Sequence, residues 1–484
     1  MTRLVVGPFN RVEGDLEVTL DVDGGRVAAA HVNSPLFRGF EQILLGKDPR
    51  DALVYVPRIC GICSVSQSAA AARALGDAMG LVPPPNGELA ANLVLATENL
   101  ADHFTHFYLF FMPDFARDAY AGQPWFAAAR ARFKAIEGSA ASDALPARAA
   151  FLRTLGILAG KWPHTLTLQP GGSARAVSAA EKIRLYALLR EFRAWLERHL
   201  FGDALEAIAA LDSAAALEAW QAARAPGASD FRLFLEIAGA LGLDRFGRAT
   251  DRFLSYGNYP LGGTPLFAPG VWQDGAGAPA PVQFARIAED ASHSWMADPT
   301  ARHPWQGDTR PDADRPGAYS WCKAPRLAGE VVECGALARQ VVDGHPLARE
   351  LVARSGGNVA NRVVARLLEL ARVLPAMEAW VRAIEPGEPF CSHGPLPDEA
   401  RGVGTVEAAR GALGHWLVIR QGRIANYQVI APTTWNFSPR DAAGVPGALE
   451  QALVGTPVGD DERVPLAVQH VVRSFDPCMV CTVH

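Results

Sequence analysis

The sequence is poor in cysteine, with seven in 484 residues. An odd and sparse count excludes the disulfide framework that holds small secreted domains together. The chain also lacks an apolar run of transmembrane length and an N-terminal segment of the signal-peptide type. Its formal net charge is only -5, and it has no basic stripe with interleaved aromatic residues, which argues against a nucleic-acid surface. These absences predict a cytoplasmic protein without a membrane span.

Apolar material is plentiful, since 49% of the residues are hydrophobic and 20% are charged. A chain of this size and composition can bury a large core. It contains no internal repeat, low-complexity tail or clean linker. The sequence therefore predicts one cooperative unit over residues 1–484.

The residue pattern predicts a mainly α-helical fold with small β pieces near both termini, an α+β class. Alternation on both sides of Gly24 and Gly25 predicts a β hairpin within residues 1–35. A second hairpin, turning at Gln421 and Gly422, opens a C-terminal part, residues 401–484, that ends in a metal-binding terminus. Between them, residues 36–400 form a mostly helical body with a Gly/Pro-rich region of irregular loops at 255–330. Helical periodicity or capping signals mark residues 64–80, 92–111, 178–200, 203–223, 336–354 and 359–384. The first of these segments begins with serines that can cap a helix, and the third begins with a capping box, Ser178 to Glu181.

Four of the cysteines form two CxxC pairs, Cys60 with Cys63 and Cys478 with Cys481. Each pair alone could be a redox site or half of a zinc site. However, 418 residues separate Cys60 from Cys478 (478 minus 60), which excludes a local zinc ribbon. Four converging thiolates would form a soft pocket for nickel, iron or zinc, and would anchor a terminus that otherwise frays. The remaining cysteines are expected to be small buried apolar residues; they are Cys322, Cys334 and Cys391.

The segments around these pairs occur in the order and spacing of a known family. They include "FRGFEQILLGKDPRDALVYVPRICGICSVSQS", "ADHFTHFY", "AARGALGHW", "NYQVIAPTTWNFSPRD" and "DPCMVCTVH". From Asn10 to His484 the chain resembles the large, active-site subunit of nickel–iron hydrogenases. The related quinone-reductase subunit of respiratory complex I shares that fold but lacks the four cysteines.

The resemblance implies an enzyme that cleaves H2 heterolytically into protons and electrons. Because the chain has no iron–sulfur motif beyond the four thiols, electrons need a second protein. The resemblance implies a small subunit that carries iron–sulfur clusters, in a heterodimer or in a dimer of two such heterodimers. A metal-free scaffold and a structural zinc protein that kept the fold are the alternatives from another class.

The family assigns the four cysteines to a nickel–iron centre. By that resemblance, Cys60 and Cys478 are terminal nickel ligands, while Cys63 and Cys481 bridge nickel to an iron that carries carbonyl and cyanide ligands. Thr433 matches the residue that hydrogen-bonds a cyanide.

A magnesium ion is implied beside this centre. Its ligands would be the Glu41 carboxylate, the Val429 carbonyl and the His484 imidazole, with water filling the other positions. Such a site would also pin the last residue of the chain.

Proton transfer and an open ligand position are implied for a further group of residues. Cys478 matches the first proton acceptor, and Glu13 matches the carboxylate that relays the proton. Arg410, held by Asp102 and Asp476, matches a polar canopy over the open site. From the residues alone, Glu13 could be a surface strand residue and the Arg–Asp group a packing network.

Two histidines belong to motifs of the family without an expected role in the chemistry itself. His106 lies four residues after Asp102, on the same helical face. His164 follows "KWP". Both are expected to support the site through neighbouring groups.

Several positions depart from the pattern of the catalytic members. Gln67 stands where most of them have His, Asp15 where they have His and Ala409 where they have Pro. At the end of the gas channel, Ile62 and Phe110 replace smaller residues. Each change alone could be ordinary repacking, but together they resemble the regulatory, hydrogen-sensing subgroup.

The sequence thus predicts a low-turnover, oxygen-tolerant hydrogen sensor that signals to a histidine kinase. A respiratory H2-uptake hydrogenase is the alternative. Catalytic members are usually made with a C-terminal extension that a protease removes after nickel insertion, whereas the sensor subgroup lacks it. A sensor would therefore have a gene that stops directly after the codon for His484.

Overall fold

Long helices form the body of the protein in a computed structural model that describes residues 2–459, 462–482 and 484. Helices α4, α6, α7 and α13 pack on one another in the middle of this body. The α-helices are α1 Phe40–Leu44, α2 Ala52–Tyr55, α3 Ser64–Met79, α4 Pro85–Thr105, α5 Phe126–Phe133, α6 Ser139–Leu158, α7 Ala179–Trp195, α8 Leu205–Ala209, α9 Ala214–Ala222, α10 Asp230–Leu241, α11 Ala336–Val342, α12 Pro346–Ser355, α13 Val359–Ala383, α14 Pro432–Asn436, α15 Ala448–Leu453 and α16 Leu466–Ser474.

Small antiparallel sheets surround the helices. Strands β1–β3 and β10–β12 form three-stranded sheets, and the others pair two by two. The strands are β1 Thr2–Val6, β2 Glu17–Asp23, β3 Arg26–Asn33, β4 Leu168–Gln169, β5 Gly172–Ser173, β6 Arg252–Leu261, β7 Thr264–Gln273, β8 Ile287–Asp290, β9 Ala324–Leu327, β10 Ala400–Ala408, β11 Gly411–Arg420 and β12 Arg423–Ile430. The predicted class, mainly α with small β pieces, is confirmed.

Both predicted hairpins are present, and each gains a third strand. β2 and β3 turn at Gly24 and Gly25, and β1 pairs with the outer side of β2. β11 and β12 turn at Gln421 and Gly422, and β10 pairs with β11. The third strands were missed because β1 is separated from its partner by a loop, and because glycines interrupt the alternation in β10.

The prediction of irregular loops over residues 255–330 is wrong for its first part. Strands β6 and β7, of ten residues each, form a hairpin that turns at Gly262 and Gly263, both with positive φ. Proline does not prevent it, because both strands of a two-stranded ribbon are edges on which a missing N–H is tolerated. Pro260 indeed lies opposite Pro265.

The start of α3 is held by a carboxylate from another helix, although the sequence predicted capping by its own serines. The Glu98 carboxylate of α4 accepts hydrogen bonds from Val65 N at 2.8 Å and Ser66 N at 2.9 Å. Trp162 Nε1 donates to it at 2.9 Å. These donors satisfy backbone N–H groups that a helix N-terminus leaves free. The predicted capping box of Ser178 and Glu181, by contrast, is confirmed at the start of α7.

Close packing of α3 against β10 brings the first CxxC pair next to the C-terminal sheet. A Cβ on Gly404 would lie 1.9 Å from the Ala70 carbonyl oxygen, so the strand and the helix touch through backbone. The largest hydrophobic core cluster includes residues from Val6 to Cys481. The cooperative unit over residues 1–484 stays a prediction. No helix of the described residues is both long enough and apolar enough for a membrane crossing.

A buried ion cluster fixes α16, the helix that leads to the terminal cysteines. Arg473 Nη1 donates to Asp114 Oδ2 at 2.6 Å, and Arg11 pairs with the other oxygen. Arg473 also donates to Asn10 Oδ1 at 2.6 Å. Burial alone would raise the pKa of Asp114, but His470, Arg473 and Arg11 outweigh it and hold that pKa well below its usual range.

Replacing this carboxylate should destabilise the fold. Asp114→Asn leaves buried guanidinium groups without a counter-charge, a loss of roughly 3–5 kcal/mol near neutral pH. Because the folded pKa is depressed, the carboxylate stabilises the fold above about pH 4, and its contribution falls as pH drops further. Thermal unfolding should therefore show a large deficit at neutral pH that narrows in acid. Asp118→Asn, at an exposed residue paired only with Arg130, is the matched control. Equal midpoints for the parent and Asp114→Asn would contradict this account.

Candidate metal centre

The four CxxC sulfurs lie together although the pairs are far apart in sequence. Their Sγ atoms are all within 4.8 Å of one another. Cys60 Sγ lies 3.4 Å from Cys478 Sγ, and Cys63 Sγ lies 3.2 Å from Cys481 Sγ. All four side chains are buried, and none forms a disulfide.

Each pair sits at the join between a short turn and a second element. Cys60 follows a 3-10 turn, Val56–Ile59, and Cys63 directly precedes α3. Cys478 precedes the 3-10 turn Met479–Cys481, and its N–H donates to Thr433 Oγ1 at 3.1 Å.

Arg38 ties the two cysteine segments to each other, which the sequence analysis missed. Its Nη2 donates to the Val480 carbonyl at 2.6 Å and also to the Ile59 carbonyl. A single guanidinium therefore bridges the residue before the first CxxC and a residue inside the second. The signal was present in "FRGFE", but nothing in a sequence tells which carbonyls an arginine reaches.

The donor set fits a thiolate-bound metal. The pKa values of the Cys478 and Cys481 thiols are raised, and burial is the largest cause. Four neighbouring thiolates without a cation would repel one another in a low dielectric, whereas a soft cation stabilises all of them. Cys322 and Cys334 are buried as predicted, but Cys391 is only half-buried beside β5, so that part of the prediction is wrong.

Glu13 lies against the terminal CxxC through its backbone. Its N–H donates to the Pro477 carbonyl at 3.3 Å, and its carbonyl accepts from Met479 N at 2.7 Å. Gly14 makes this approach possible, since it has a φ of +80° and an added Cβ would meet Val480 at 2.9 Å. Burial, then the neighbouring Cys60 sulfur, raises the pKa of the half-buried Glu13 carboxyl. Asp15, in contrast, is exposed.

Arg410 and its two carboxylates form the predicted group in one buried place. Arg410 Nη1 donates to Asp102 Oδ2 at 2.5 Å, and Nη2 donates to Asp476 Oδ1 at 3.1 Å. Burial raises the pKa of Asp102 to about 7. Burial would also raise the pKa of Asp476, but Arg410, His106 and Arg366 reverse this and lower it.

A second arginine, Arg339, holds the connection that carries Arg410. It was missed by the sequence analysis. Ala409 and Arg410 form the two-residue connection between β10 and β11. Arg339 donates to the Ala408 carbonyl at 2.8 Å and to the Ala409 carbonyl at 3.1 Å. Its charge is balanced by two buried carboxylates, Glu369 and Glu407.

The two motif histidines contact backbone carbonyls, as expected for supporting residues. His106 Nε2 lies 2.7 Å from the Arg473 carbonyl. His164 Nδ1 lies 3.0 Å from the Pro57 carbonyl, just before the first CxxC. Both contacts fix segments that lead to a cysteine pair.

The three groups named for magnesium converge at the chain's end. His484 Nε2 contacts the Val429 carbonyl and lies 3.9 Å from Glu41 Oε1. Glu41 Oε1 also accepts from Val429 N at 2.8 Å. One carboxylate, one carbonyl and one imidazole are a donor set that a hydrated divalent cation accepts.

An ammonium group beside this cluster was missed by the sequence analysis. Lys323 Nζ lies 3.4 Å from Glu41 Oε2, 3.2 Å from Glu289 Oε2 and 3.0 Å from Gln428 Oε1. Lys323 stands in the segment "WCKAPR", but its contacts depend on a fold that brings four separate segments together.

Three further positions named from the sequence lie near the first CxxC pair or at the end of α4, the helix that carries Asp102. Gln67 is buried in the first turns of α3, and its Nε2 lies 3.9 Å from Cys481 Sγ. Ile62 packs half-buried against the main core. Phe110 is half-buried in a π-helical turn, His106–Phe111, that continues α4. The gas-channel role of Ile62 and Phe110 stays a prediction.

Removing the Arg38 clamp should loosen metal binding. Arg38→Met keeps the length of the side chain but loses both charge-assisted hydrogen bonds, so the metal-loaded protein should release metal to a chelator roughly tenfold faster or more. Arg58→Met is the matched control, because Arg58 is exposed and donates to the Val54 carbonyl, away from the second CxxC pair. Metal-to-protein ratios followed over time measure the loss. Identical rates for parent and Arg38→Met would refute the clamp.

Comparisons with known proteins agree with this geometry. A family described as nickel-dependent hydrogenase matches residues 38–122 and 141–484. The chain is 31% identical to the periplasmic NiFeSe hydrogenase large subunit of Desulfomicrobium baculatum, covering 100% of this chain and 95% of that protein. It is 27% identical to the uptake hydrogenase large subunit of Rubrivivax gelatinosus, covering 100% and 95%.

The fold agrees with a solved relative as well. An H2-activated NiFeSe hydrogenase of D. baculatum superimposes with a TM-score of 0.86 at 29% identity, covering 100% of both chains. The residues that match the family include both CxxC pairs and run to His484. This chain therefore belongs to the nickel-dependent hydrogenase family, as a large subunit.

Proposed function

We propose that this chain is the active-site subunit of an H2-oxidising hydrogenase whose four CxxC thiolates hold a nickel–iron centre with carbonyl and cyanide on iron. The convergence of four buried sulfurs in a member of this family is the observation that carries the proposal. Such a centre, when bound, would supply the redox chemistry of H2 cleavage. Thr433, whose hydroxyl oxygen accepts from Cys478 N, is proposed to hydrogen-bond a cyanide.

The protein's own residues then transfer the proton and place a positive charge beside the metal site. Cys478 Sγ is the first acceptor, and Glu13, paired by backbone with the Cys478 segment, takes the proton onward. Its raised pKa suits a carrier that must both accept and release a proton. Arg410 is oriented by Asp102 and Asp476 and directs a buried positive charge to this region.

Magnesium is proposed at Glu41, the Val429 carbonyl and His484. The cluster supports this by its oxygen and nitrogen donors and by its burial. A bound cation would hold the end of the chain beside the sulfurs.

A partner small subunit with iron–sulfur clusters is proposed to dock near the first CxxC. Large apolar side chains are exposed there, at Leu36, Val54 and Leu166. They flank the segment from Arg38 to Cys63 and the His164 loop that contacts Pro57. Such a surface is apolar enough to be covered by another protein.

Uptake of H2 is the first proposal for the output, because the relatives named above are NiFeSe and uptake hydrogenases rather than sensors. The sensor is kept as a second candidate on one observation: a buried Gln67 stands beside Cys481. A kinase partner has no support in the structure. The cytoplasmic location also stays a prediction, since the D. baculatum relative is named as periplasmic.

Infrared spectroscopy with metal analysis tests the proposal. The purified protein should contain nickel, iron and magnesium and should show carbonyl and cyanide stretching bands, where amino acids do not absorb. Isolated without its partner, it should keep these bands but reduce a dye with H2 far more slowly than the complex. Zinc alone with no such bands would refute a nickel–iron centre.

Glu13→Gln tests the proton path. The amide is nearly isosteric but cannot relay a proton, so H2/D2O isotope exchange should fall roughly 100-fold or more while the metal content and infrared bands persist. Asp15→Asn, at the exposed neighbour, is the control and should exchange like the parent. Full exchange in Glu13→Gln would remove Glu13 from the path.

Sensitivity to oxygen distinguishes the hydrogen sensor from the uptake hydrogenase. If the bulky pair narrows a gas channel as in a sensor, Ile62→Val with Phe110→Leu should admit oxygen faster and make an oxygen-resistant parent lose activity in air. The rate of inactivation in air-saturated buffer measures this. A double variant as resistant as the parent would leave uptake as the only proposal.

A further inference from the structure

A line of buried hydrogen bonds leads from the C-terminal sheet to the sulfur of Cys481. Tyr427 Oη lies 2.9 Å from His415 Nδ1, and His415 Nε2 lies 2.9 Å from Gln67 Oε1. Gln67 Nε2 points to Cys481 Sγ at 3.9 Å. Tyr427 and His415 are completely buried, and Gln67 is 1% exposed.

Chemistry at the sulfur end fixes every proton in this line. A metal-bound thiolate has no hydrogen to donate, so the Gln67 amide must present its N–H to Cys481 and its carbonyl to His415. The carbonyl accepts only, so the proton of His415 must be on Nε2. His415 Nδ1 is then an acceptor, and the Tyr427 hydroxyl donates to it.

His415 has one ring proton to place, because the imidazole stays neutral. Burial first, then the nearby His484, lowers the pKa of His415 to about 3. The reverse arrangement, with Nδ1 protonated, would turn the amide oxygen toward the negative sulfur. That contact is repulsive, so only the arrangement with His415 protonated on Nε2 and the Tyr427 hydroxyl donating to Nδ1 satisfies all the members at once.

The fold holds the members rigidly in place. His415 lies on β11 and Tyr427 on β12, two neighbouring strands of the three-stranded sheet. Gln67 follows Cys63 by one helical turn on α3, which packs on β11. This line of hydrogen bonds therefore connects α3, the helix that follows the first CxxC pair, to a sulfur of the second pair.

We infer that His415 and Tyr427 are positioning residues that orient the Gln67 amide as a hydrogen-bond donor to the bridging Cys481 sulfur. The inference rests on the proposed nickel–iron centre, and it adds two residues outside the ligand set to those that control its electronics. A donated N–H draws electron density from a thiolate. Losing it should make the sulfur a stronger donor to the metals.

Two measurements on the purified metal-loaded protein test this. Nitrogen NMR of isotope-labelled histidine, assigned with His415→Gln, should find the His415 proton on Nε2. In the infrared spectrum, Gln67→Leu and His415→Leu should both move the carbonyl band to lower wavenumber. The reason is that a more electron-rich iron donates more electron density to its carbon monoxide ligand. Tyr427→Phe should give a smaller shift in the same direction.

Matched variants separate orientation from simple disruption. His415→Gln offers one donor to Gln67 and one acceptor to Tyr427, so it should restore the band close to the parent position. Tyr319→Phe removes the hydroxyl of a partly buried tyrosine, bonded to Glu450 at 2.8 Å, and should leave the band unchanged. Metal content must be equal across the set.

The inference is overturned by a proton on His415 Nδ1, or by a parent-like band in His415→Leu. An unshifted band in Gln67→Leu would also overturn it. The proposed function fails separately, if the parent lacks nickel or the carbonyl band. In that case the inference falls with its premise, since a free Cys481 thiol could donate, whereas a proton on Nδ1 or an unshifted band in a nickel-loaded parent overturns the inference alone.

Discussion

Mutual repulsion among four buried sulfurs is the constraint on which the rest of the structure depends. The Sγ atoms lie within 4.8 Å of one another, a distance at which unscreened thiolates repel strongly. A cation removes the repulsion and converts the same four groups into a cross-link. A metal bound there would join residues 60–63 to residues 478–481, in addition to the hydrogen bonds of Arg38 and the shared hydrophobic core.

The surroundings show how a protein holds such a centre without flexible parts. Arg38 bridges the two cysteine segments, Glu98 caps the helix after Cys63, and Arg339 fixes the hairpin connection that carries Arg410. Each is an ionisable group, buried or partly so, whose partners are backbone atoms, polar side chains or opposite charges. The polar network is thus a frame for the metals, and the hydrophobic core lies around it.

Sequence reasoning reached the class of fold and the four ligands but not this frame. Spaced cysteines and short motifs identify positions that contact metal, since the chemistry restricts the residue type. Glu41 and His484 were found in the same way and lie together in the structure. Arg38, Glu98, Arg339 and Lys323 were missed, because their partners are backbone carbonyls, N–H groups or distant carboxylates that only the folded chain brings near. The β6–β7 hairpin was missed because prolines weaken its strand signal, although a two-stranded ribbon tolerates them.

X-ray absorption at the nickel edge tests the central claim most directly, because it counts the atoms bound to nickel without depending on activity. The account predicts a nickel site whose first coordination shell is dominated by four sulfur scatterers, with iron as a heavier neighbour beyond them. A first shell of nitrogen and oxygen, or one with only two sulfurs, would contradict the convergence of Cys60, Cys63, Cys478 and Cys481 on a single metal centre.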